Sequence, residues 1–250
     1  MQITAATLEA LPGFGELERD TLGAVEAISR LIEVPGDTVL SQQGGPPDVL
    51  HYLLDGQVTL TQAAGNGDIA VIDVLRPVRG IGLANVVTGQ LHQMTAQALT
   101  SARLLEVSGP QLRQLIGQWP SLAGTMLRGL SLDLNAVTRQ VIDLKLRTAA
   151  QRLGCYLLRL AAGATDNQAE FRLPVRKSLL AAQIGCRQEN LSRAFGLLRE
   201  HGVETHGSRV ILHDIDRLCR YAGPDDMVQE PGDSGLMRSA KAFSDAFRLR

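Results

Sequence analysis

The sequence has few cysteines, and none of them belongs to a paired motif. Cys155, Cys186 and Cys219 are the three cysteines among 250 residues, and no two of them form a CxxC pair. Widely spaced single cysteines are typical of reduced thiols in the cytosol. We therefore expect a cytoplasmic protein.

Long hydrophobic runs are also absent. No apolar stretch approaches the roughly 20 residues that a membrane-spanning helix needs. The N-terminal segment, MQITAATLEALPGFGEL, is acidic and lacks the apolar core of a signal peptide. These absences predict a chain with no membrane partner and no secretory leader.

The net charge is nearly zero, at −1, but the charges are distributed unevenly along the chain. Residues 1–110 contain five basic and twelve acidic side chains, whereas residues 172–220 contain nine basic and five acidic ones. Binding to phosphate groups requires such a basic segment. The asymmetry predicts two roles, with nucleic acid bound by the C-terminal part.

The most informative motif lies in this basic segment, at residues 179–202. Its sequence, LLAAQIGCRQENLSRAFGLLREHG, predicts two short helices around a turn at Gly185. One face of the second helix is apolar at helical spacing: Leu191, Phe195 and Leu198. The remaining side chains of its opening turns are polar and are candidate DNA contacts: Arg187, Gln188, Glu189, Asn190, Ser192 and Arg193.

Both donors and acceptors are needed to read base edges in a major groove. Arg193 offers a fixed fork of donors that suits guanine, and Glu189 can accept from the amine of cytosine. The two residues are four apart and therefore share one helix face. This pattern predicts a helix-turn-helix whose second helix enters the major groove. The alternative is an ordinary helical hairpin with a solvated Glu–Arg face.

The residues that follow favour the DNA-binding interpretation. The segment 203–212, VETHGSRVIL, contains two short β-prone runs around a glycine-containing turn. A helix-turn-helix followed by a hairpin is a winged helix. This arrangement would place Arg209 on the wing, near a phosphate group.

Between residues 31 and 108, short β-prone runs alternate with glycine-containing turns. Strands at this close spacing predict an antiparallel barrel or sandwich. A doubly wound sheet would need longer helices between the strands.

A helix predicted to start at Pro120 carries apolar residues in a heptad pattern. They step by 3, 4, 3, 4 and 3 residues: Leu127, Leu130, Leu134, Val137, Val141 and Leu144. Such a seam predicts a dimerisation helix, and a dimer would present paired recognition helices to a palindrome. The alternative is a helix that lies against its own β-domain.

Together these patterns predict an α+β chain. A sensor domain built as an antiparallel β-roll occupies residues 1–120, a dimerisation helix residues 121–148, and a winged helix-turn-helix residues 149–222. Residues 223–250 are polar and rich in helix breakers at first, and they predict a flexible tail that can end in a short amphipathic helix.

This order of elements resembles the CRP/FNR family of bacterial transcription regulators over roughly residues 8–222. The resemblance is strongest in IGCRQENLSRAFGLLREHGV, where Glu189, Ser192 and Arg193 match the Glu-x-x-Ser-Arg recognition helix of FNR-type and Dnr-type members. The front half is similar more loosely, through VPGDTVLSQQGG and LHYLLDGQVTLTQ, and this implies a cyclic-nucleotide-binding-like roll. The family implies a homodimer that reads a TTGAT-like inverted repeat through these three residues. It also implies activation or repression through contact with RNA polymerase.

The resemblance also indicates where an effector would bind. Cyclic-nucleotide binders of this fold hold ribose and phosphate with a Gly-Glu-Leu turn and a following Arg. Here Gly82 is kept, Leu83 replaces the Glu, and His92 or Gln93 stands near the Arg position. A buried phosphate needs a paired cation, which argues against cAMP and cGMP. A regulator that responds to a cyclic nucleotide is kept as the alternative.

No cofactor is identified by the sequence. An FNR-type iron–sulfur cluster needs four cysteine ligands, and three scattered cysteines, none within residues 1–110, exclude it. The TAQA stretch and the Ser192-type helix are similar to those of Dnr-like regulators, which implies haem as a candidate. Its axial ligands would come from His51, His92 and Met94. A surface or hydrogen-bonded role is the alternative for each histidine.

Two other function classes compete with a regulator. An enzyme would need converging acids, bases or metal ligands, but the β-region has no HxH pair and no nucleophile motif. We therefore expect no enzyme. The other class is a non-DNA-binding interaction protein that uses the seam helix.

Overall fold

The computed structural model describes residues 5–164 and 166–223, so that the predicted tail lies outside the described residues except for Gly223. The chain divides into two units between Asn135 and Ala136, within one long helix, α5 (Pro120–Leu146). In the part of the chain that the structure describes, no helix has both the length and the apolar composition to cross a membrane.

The described residues of the first unit contain eight strands. These are β1 (Ser29–Val34), β2 (Val39–Ser41), β3 (Val49–Asp55), β4 (Val58–Ala63), β5 (Ile69–Leu75), β6 (Arg79–Ile81), β7 (Thr95–Ala98) and β8 (Ala102–Ser108). One sheet has the strand order β1-β8-β3-β6 and the other the order β2-β7-β4-β5. Every pairing is antiparallel, which confirms the predicted β-roll.

Side chains on the two faces of β3 belong to two different apolar cores. Leu50 and Tyr52 belong to a buried cluster that also contains Leu122 of α5. Leu53 belongs to a second cluster with Leu104 of β8. Successive side chains of a strand point to opposite faces, and β3 therefore contributes to both cores.

Short helices surround the roll. They are α1 (Ala5–Glu9), α2 (Arg19–Ala27), α3 (Leu83–Thr88) and α4 (Gly109–Gln118). Pro110 lies in the first turn of α4, where its missing N–H would have no partner within the helix.

The second unit contains the C-terminal part of α5 and the elements that follow it. These are α6 (Ala149–Leu160), β9 (Ala169–Arg172), α7 (Lys177–Gln183), α8 (Gln188–Leu198), β10 (Val203–His206), β11 (Arg209–Leu212) and α9 (Ile215–Ala222). A capping box starts α6. The Gln151 N–H donates to the Thr148 hydroxyl at 3.3 Å, and the Thr148 N–H donates to the Gln151 side chain at 2.9 Å.

The wing contains more structure than the sequence predicted. Its hairpin, β10–β11, turns at Gly207 and Ser208, within the predicted segment. A third strand, β9, pairs with β11 to give the order β10-β11-β9. Helix α9 was not predicted. Its N-cap is Asp214, whose carboxylate accepts from the Arg217 N–H at 2.9 Å.

Candidate nucleic-acid interface and effector site

Helix α8 divides into a buried face and an exposed face. The buried side chains recur at helical spacing: Leu191, Ala194, Phe195 and Leu198. They pack against α6 and α7, and Lys177 Nζ lies 5.2 Å from the centroid of the Phe195 ring. Glu189 lies in the first turn, where a carboxylate complements the positive end of the helix dipole.

All six candidate DNA contacts of the recognition helix are exposed: Arg187, Gln188, Glu189, Asn190, Ser192 and Arg193. The Ser192 hydroxyl donates to the Gln188 carbonyl at 3.3 Å and keeps its lone pairs for an incoming donor. Glu189 and Arg193 form no ion pair with each other within the described residues. Their carboxylate and guanidinium therefore face solvent without competition from each other.

The turn before α8 is closed by backbone hydrogen bonds. The Gly185 N–H donates to Ala182 O and the Cys186 N–H donates to Ala181 O, both at 2.9 Å. This is the Schellman pattern, in which the residue after the helix adopts a left-handed conformation. Gly185 has φ +67°, which a glycine adopts without steric cost. The predicted turn at Gly185 thus has a defined geometry.

Arg209 lies on the wing, but its guanidinium already has a partner. Nε and Nη2 donate to the two carboxylate oxygens of Glu170 at 2.6 and 2.7 Å. These hydrogen bonds lower the pKa of Glu170 and raise that of Arg209. A phosphate would therefore have to compete with Glu170 for the predicted contact.

The same wing holds a cluster that the sequence analysis missed. Glu204 accepts from His206 Nε2 at 2.6 Å and from His213 Nε2 at 2.8 Å. Hydrogen bonds from His213 and His206 lower the pKa of Glu204. Alternation on β10 places Glu204 and His206 on one face, a signal the sequence does contain. His213 joins them only because of the strand pairing.

The seam of α5 is exposed at five of its six positions. Between 45% and 66% of each residue is exposed at Leu127, Leu134, Val137, Val141 and Leu144. Leu130 differs, because it packs against the core of the first unit. It follows the buried Leu122 and Met126 at intervals of four and so lies at the edge of the inward face.

The four residues predicted to line an effector site, Gly82, Leu83, His92 and Gln93, include no fixed cation. Gly82 precedes α3 with φ +82°, and an added Cβ would lie 2.9 Å from His92 Cε1. His92 is buried, and burial lowers its pKa although Asp48 acts in the opposite direction. Leu83 is buried, and its Cδ2 would lie 2.8 Å from a Cβ at Gly129 of α5.

Two arginines lie near this site, and both already have partners. Arg113 Nη1 donates to Val86 O of α3 at 2.9 Å. Arg79, three residues before Gly82, pairs with Asp133 at 3.1 Å. Gln93 is exposed and uncharged. His92, a buried imidazole with a lowered pKa, and the apolar Leu83 therefore offer no fixed charge to a phosphate or a ribose.

His51 is buried on β3, with its two ring nitrogens in different surroundings. Nε2 lies 3.3 Å from Glu106 Oε1, and Glu106 also pairs with Arg30. Nδ1 is buried and has no hydrogen-bond partner in the described part of the chain. Burial lowers the pKa of His51, while Glu106 opposes the shift and a charge on His92 adds to it.

Glu106 was not identified from the sequence, since nothing local links it to His51. The strand register places Glu106 beside His51, because the two residues pair across β3 and β8. On its other side, His51 pairs with Ile81 across β3 and β6. Gly82 follows Ile81, which brings His51 and His92 to the same end of the roll. Met94 is half-buried. Among the described residues, no group of three or more His, Cys, Asp or Glu is arranged to hold a metal ion.

Two family models match the chain. The model of the Crp-like helix-turn-helix domain matches residues 151–221, and that of the cyclic nucleotide-binding domain matches residues 31–118. The chain is similar to the transcriptional activator protein FnrA of Stutzerimonas stutzeri, with 26% identity over 194 residues, 75% of this chain and 78% of FnrA.

A second relative and a solved structure agree with these models. The CRP-like cAMP-activated global transcriptional regulator of Mycobacterium tuberculosis is 22% identical over 213 residues, 84% of this chain and 95% of that protein. The structure of FixK2 from Bradyrhizobium japonicum superposes with a TM-score of 0.66 at 18% identity, over 77% of this chain and 96% of FixK2. This last similarity shows the fold.

Proposed function

The chain belongs to the CRP/FNR family of DNA-binding transcription regulators, and we propose that it acts as a homodimer on an inverted DNA repeat. The exposed polar face of α8 carries this proposal. It presents a guanidinium, a carboxylate, two amides and a hydroxyl on one surface, while the opposite face is held by apolar packing. An exposed helix with donors and acceptors of this kind is suited to a major groove.

Glu189, Ser192 and Arg193 are the proposed base readers of a TTGAT-like half-site. Arg193 would donate to guanine and Glu189 would accept from cytosine. Arg187, Gln188 and Asn190 would add contacts to phosphates or base edges. On the wing, Arg209 would reach a phosphate by exchanging its Glu170 partner.

The α5 seam is the proposed dimer interface. Leu127, Leu134, Val137 and Val141 expose apolar side chains at heptad spacing, and burying them against a second copy would remove them from water. Two recognition helices related by a two-fold axis would then read the two halves of a palindrome. We place the dimer in the cytoplasm and propose that it contacts RNA polymerase. The relative named as an activator, FnrA, favours activation.

We propose that the effector binds the roll at His51. We do not propose a cyclic nucleotide bound at Gly82. The nucleotide alternative is disfavoured by the neutral His92 and by Leu83. Haem fits His51 in one respect. A haem-binding imidazole needs a free nitrogen, and the second nitrogen is usually held by a carboxylate or carbonyl. His51 offers Nδ1 while Nε2 faces Glu106.

Bound haem would supply an iron that takes a diatomic gas, and His51 would hold the iron while Glu106 fixes the ring. Protein purified after haem supplementation should then show a Soret band that His51→Ala removes and that His201→Ala leaves in place. Absence of the band from the unsubstituted protein overturns the haem proposal and leaves DNA binding unaffected.

The DNA-binding proposal is tested by selection from random duplexes followed by gel shift. The unsubstituted chain should enrich a TTGAT-type palindrome, and Arg193→Ala should lose about 1–3 kcal/mol of discrimination at one base pair of each half-site. Arg159→Ala serves as a control, because Arg159 is exposed on α6 and is not among the proposed DNA contacts. Enrichment of no sequence would favour a non-DNA-binding interaction protein instead.

A further inference from the structure

Carbonyl groups from the ends of two helices converge on one side chain, that of Arg152. Its Nε donates to Ile184 O at 2.7 Å and its Nη2 to Gly185 O at 3.2 Å. Its Nη1 donates to Arg147 O, at the end of α5, at 2.5 Å. Arg152 lies in the first turns of α6, so that three segments of the second unit meet at one guanidinium.

These carbonyls need an outside donor. The last carbonyls of a helix have no partner within it, and the Schellman turn of α7 satisfies only those of Ala181 and Ala182. Ile184 and Gly185 lie beyond these two residues. A guanidinium supplies several donors in a rigid plane and a positive charge at the negative end of a helix dipole. Arg152 therefore supplies the donors that this turn lacks.

A second contact joins the same elements. Leu144 of α5 lies against the turn, and an added Cβ at Gly185 would come 2.4 Å from Leu144 Cδ2. Gly185 also has φ +67°, where a side chain is strained. The turn therefore needs a glycine for its backbone conformation, and a side chain there would also have to displace the end of Leu144. Helix α8 begins three residues later, at Gln188.

We propose that Arg152 is a positioning residue for DNA recognition. It fixes the recognition helix against the C-terminal end of α5 and, through the dimer, sets the half-site spacing that the protein accepts. Leu144 acts together with Arg152. Leu144 contributes both to this contact within one protomer and to the seam. The inference rests on the proposed function, since spacing has meaning only for a dimer on a palindrome.

Spacing preference separates positioning from simple stabilisation. Moving the half-sites by one base pair shifts and rotates one of them by about a tenth of a helical turn. A rigidly held pair of α8 helices loses affinity on such a site, whereas a loosely held pair adapts. A variant that is merely less stable would lose affinity on all spacings alike.

The experiment measures the affinity of the full-length protein for three palindromes that differ by one base pair in spacing. We expect the unsubstituted chain to prefer one spacing by about tenfold or more, corresponding to about 1.4 kcal/mol. Arg152→Gln and Arg152→Lys should bring the three affinities to within about threefold of each other. Lys keeps the charge but loses the planar fork. Arg159→Gln, on the same helix, should keep the preference.

A second pair of variants tests the Leu144 contact. Gly185→Ala should flatten the spacing preference, and adding Leu144→Ala should restore part of it by opening the space that the new Cβ needs. Flattening and partial restoration support the proposal. An unsubstituted protein that prefers one spacing, with all Arg152 and Gly185 variants keeping that preference, overturns the positioning role alone. If the unsubstituted protein binds no palindrome, both the proposed function and this inference fall.

Discussion

The imidazole of His92 lies over Gly82 so closely that an added Cβ at Gly82 would come within 2.9 Å of His92 Cε1. The space that a glycine leaves at the start of α3 is therefore filled by a ring of this chain. Because burial lowers the pKa of His92, that ring is neutral at physiological pH. This ring therefore offers no positive charge to the phosphate of a nucleotide.

The first prediction concerns cyclic nucleotides. A ligand that binds only the native state raises the unfolding temperature by mass action. We expect millimolar cAMP or cGMP to leave the unfolding temperature unchanged, because His92 and Leu83 offer no charged partner to phosphate. Differential scanning fluorimetry checks this. A saturable rise in Tm with either nucleotide would contradict our account of the site.

The second prediction separates base reading from phosphate contact on α8. Arg187→Ala should weaken binding to all sequences alike and reduce the salt slope of the affinity by about 1, because a phosphate contact is lost. Glu189→Ala should instead relax the preference at one base pair and leave the slope unchanged. Affinities measured on matched and mismatched duplexes over a salt series distinguish the two. Equal effects of both variants would refute the assigned roles.

The third prediction concerns the wing. Glu170→Gln weakens the ion pair that holds Arg209 and makes the guanidinium available to phosphate. We expect tighter DNA binding and a salt slope that increases by about 1. Glu200→Gln provides a control of equal charge change in the same unit. If Glu170→Gln and Glu200→Gln bind DNA with the same affinity and salt slope, Arg209 does not contact phosphate.

The fourth prediction uses the difference between two leucines of α5. Leu134→Glu should dissociate the dimer with little change in the stability of the monomer, because Leu134 is exposed. Leu130→Ala should preserve the dimer and lower the free energy of unfolding by about 2 kcal/mol, since Leu130 packs against the first core. Analytical ultracentrifugation and urea unfolding measure the two effects. A dimer that survives Leu134→Glu would argue against this seam.

The fifth prediction concerns pH. The pKa values of His51 and His92 are lowered in the folded chain, so that the unfolded chain binds more protons below the ordinary histidine pKa of about 6.5. Their neutral forms contribute stability that is fully present above about pH 6.5 and is lost as the pH falls towards their folded pKa values. Urea unfolding should therefore give a lower stability at about pH 5.5 than at about pH 7.5.

The control for this pH effect lies within the same chain. His51→Gln and His92→Gln should each reduce the loss of stability on acidification, because each removes one buried histidine that must be protonated. His201→Gln should not, since the His201 ring lies outside the roll and stacks on Tyr221. An equal loss of stability on acidification in all three variants would refute the assignment of the pH effect to His51 and His92.

Sequence patterns predicted features that depend on residues close in the chain. The polar and apolar faces of α8 follow from helical periodicity, and the turn at Gly185 follows from residue type. The same reasoning missed α9, although Asp214 is a typical N-cap residue that was present in the sequence. Boundaries such as that of β9 depend on pairing with β11, which the local sequence does not encode.

Contacts between distant residues could not be predicted in this way. The pairing of His51 with Glu106 requires the register of β3 on β8, and that of Arg209 with Glu170 requires β11 beside β9. Leu130 and Leu134 both belong to the heptad seam, yet the packing of α5 on the first core partly buries only Leu130. The sequence shows which side chains can act, and the fold decides which ones meet.

The division of α8 into two faces has a consequence for how such a regulator can diverge. The side chains that hold the helix in place and those that face solvent occupy separate positions. Substitutions on the outer face can therefore redirect the protein to another operator with little effect on its stability, which depends on the inner face. A library confined to the six outer positions would be a compact starting point for reprogramming its targets.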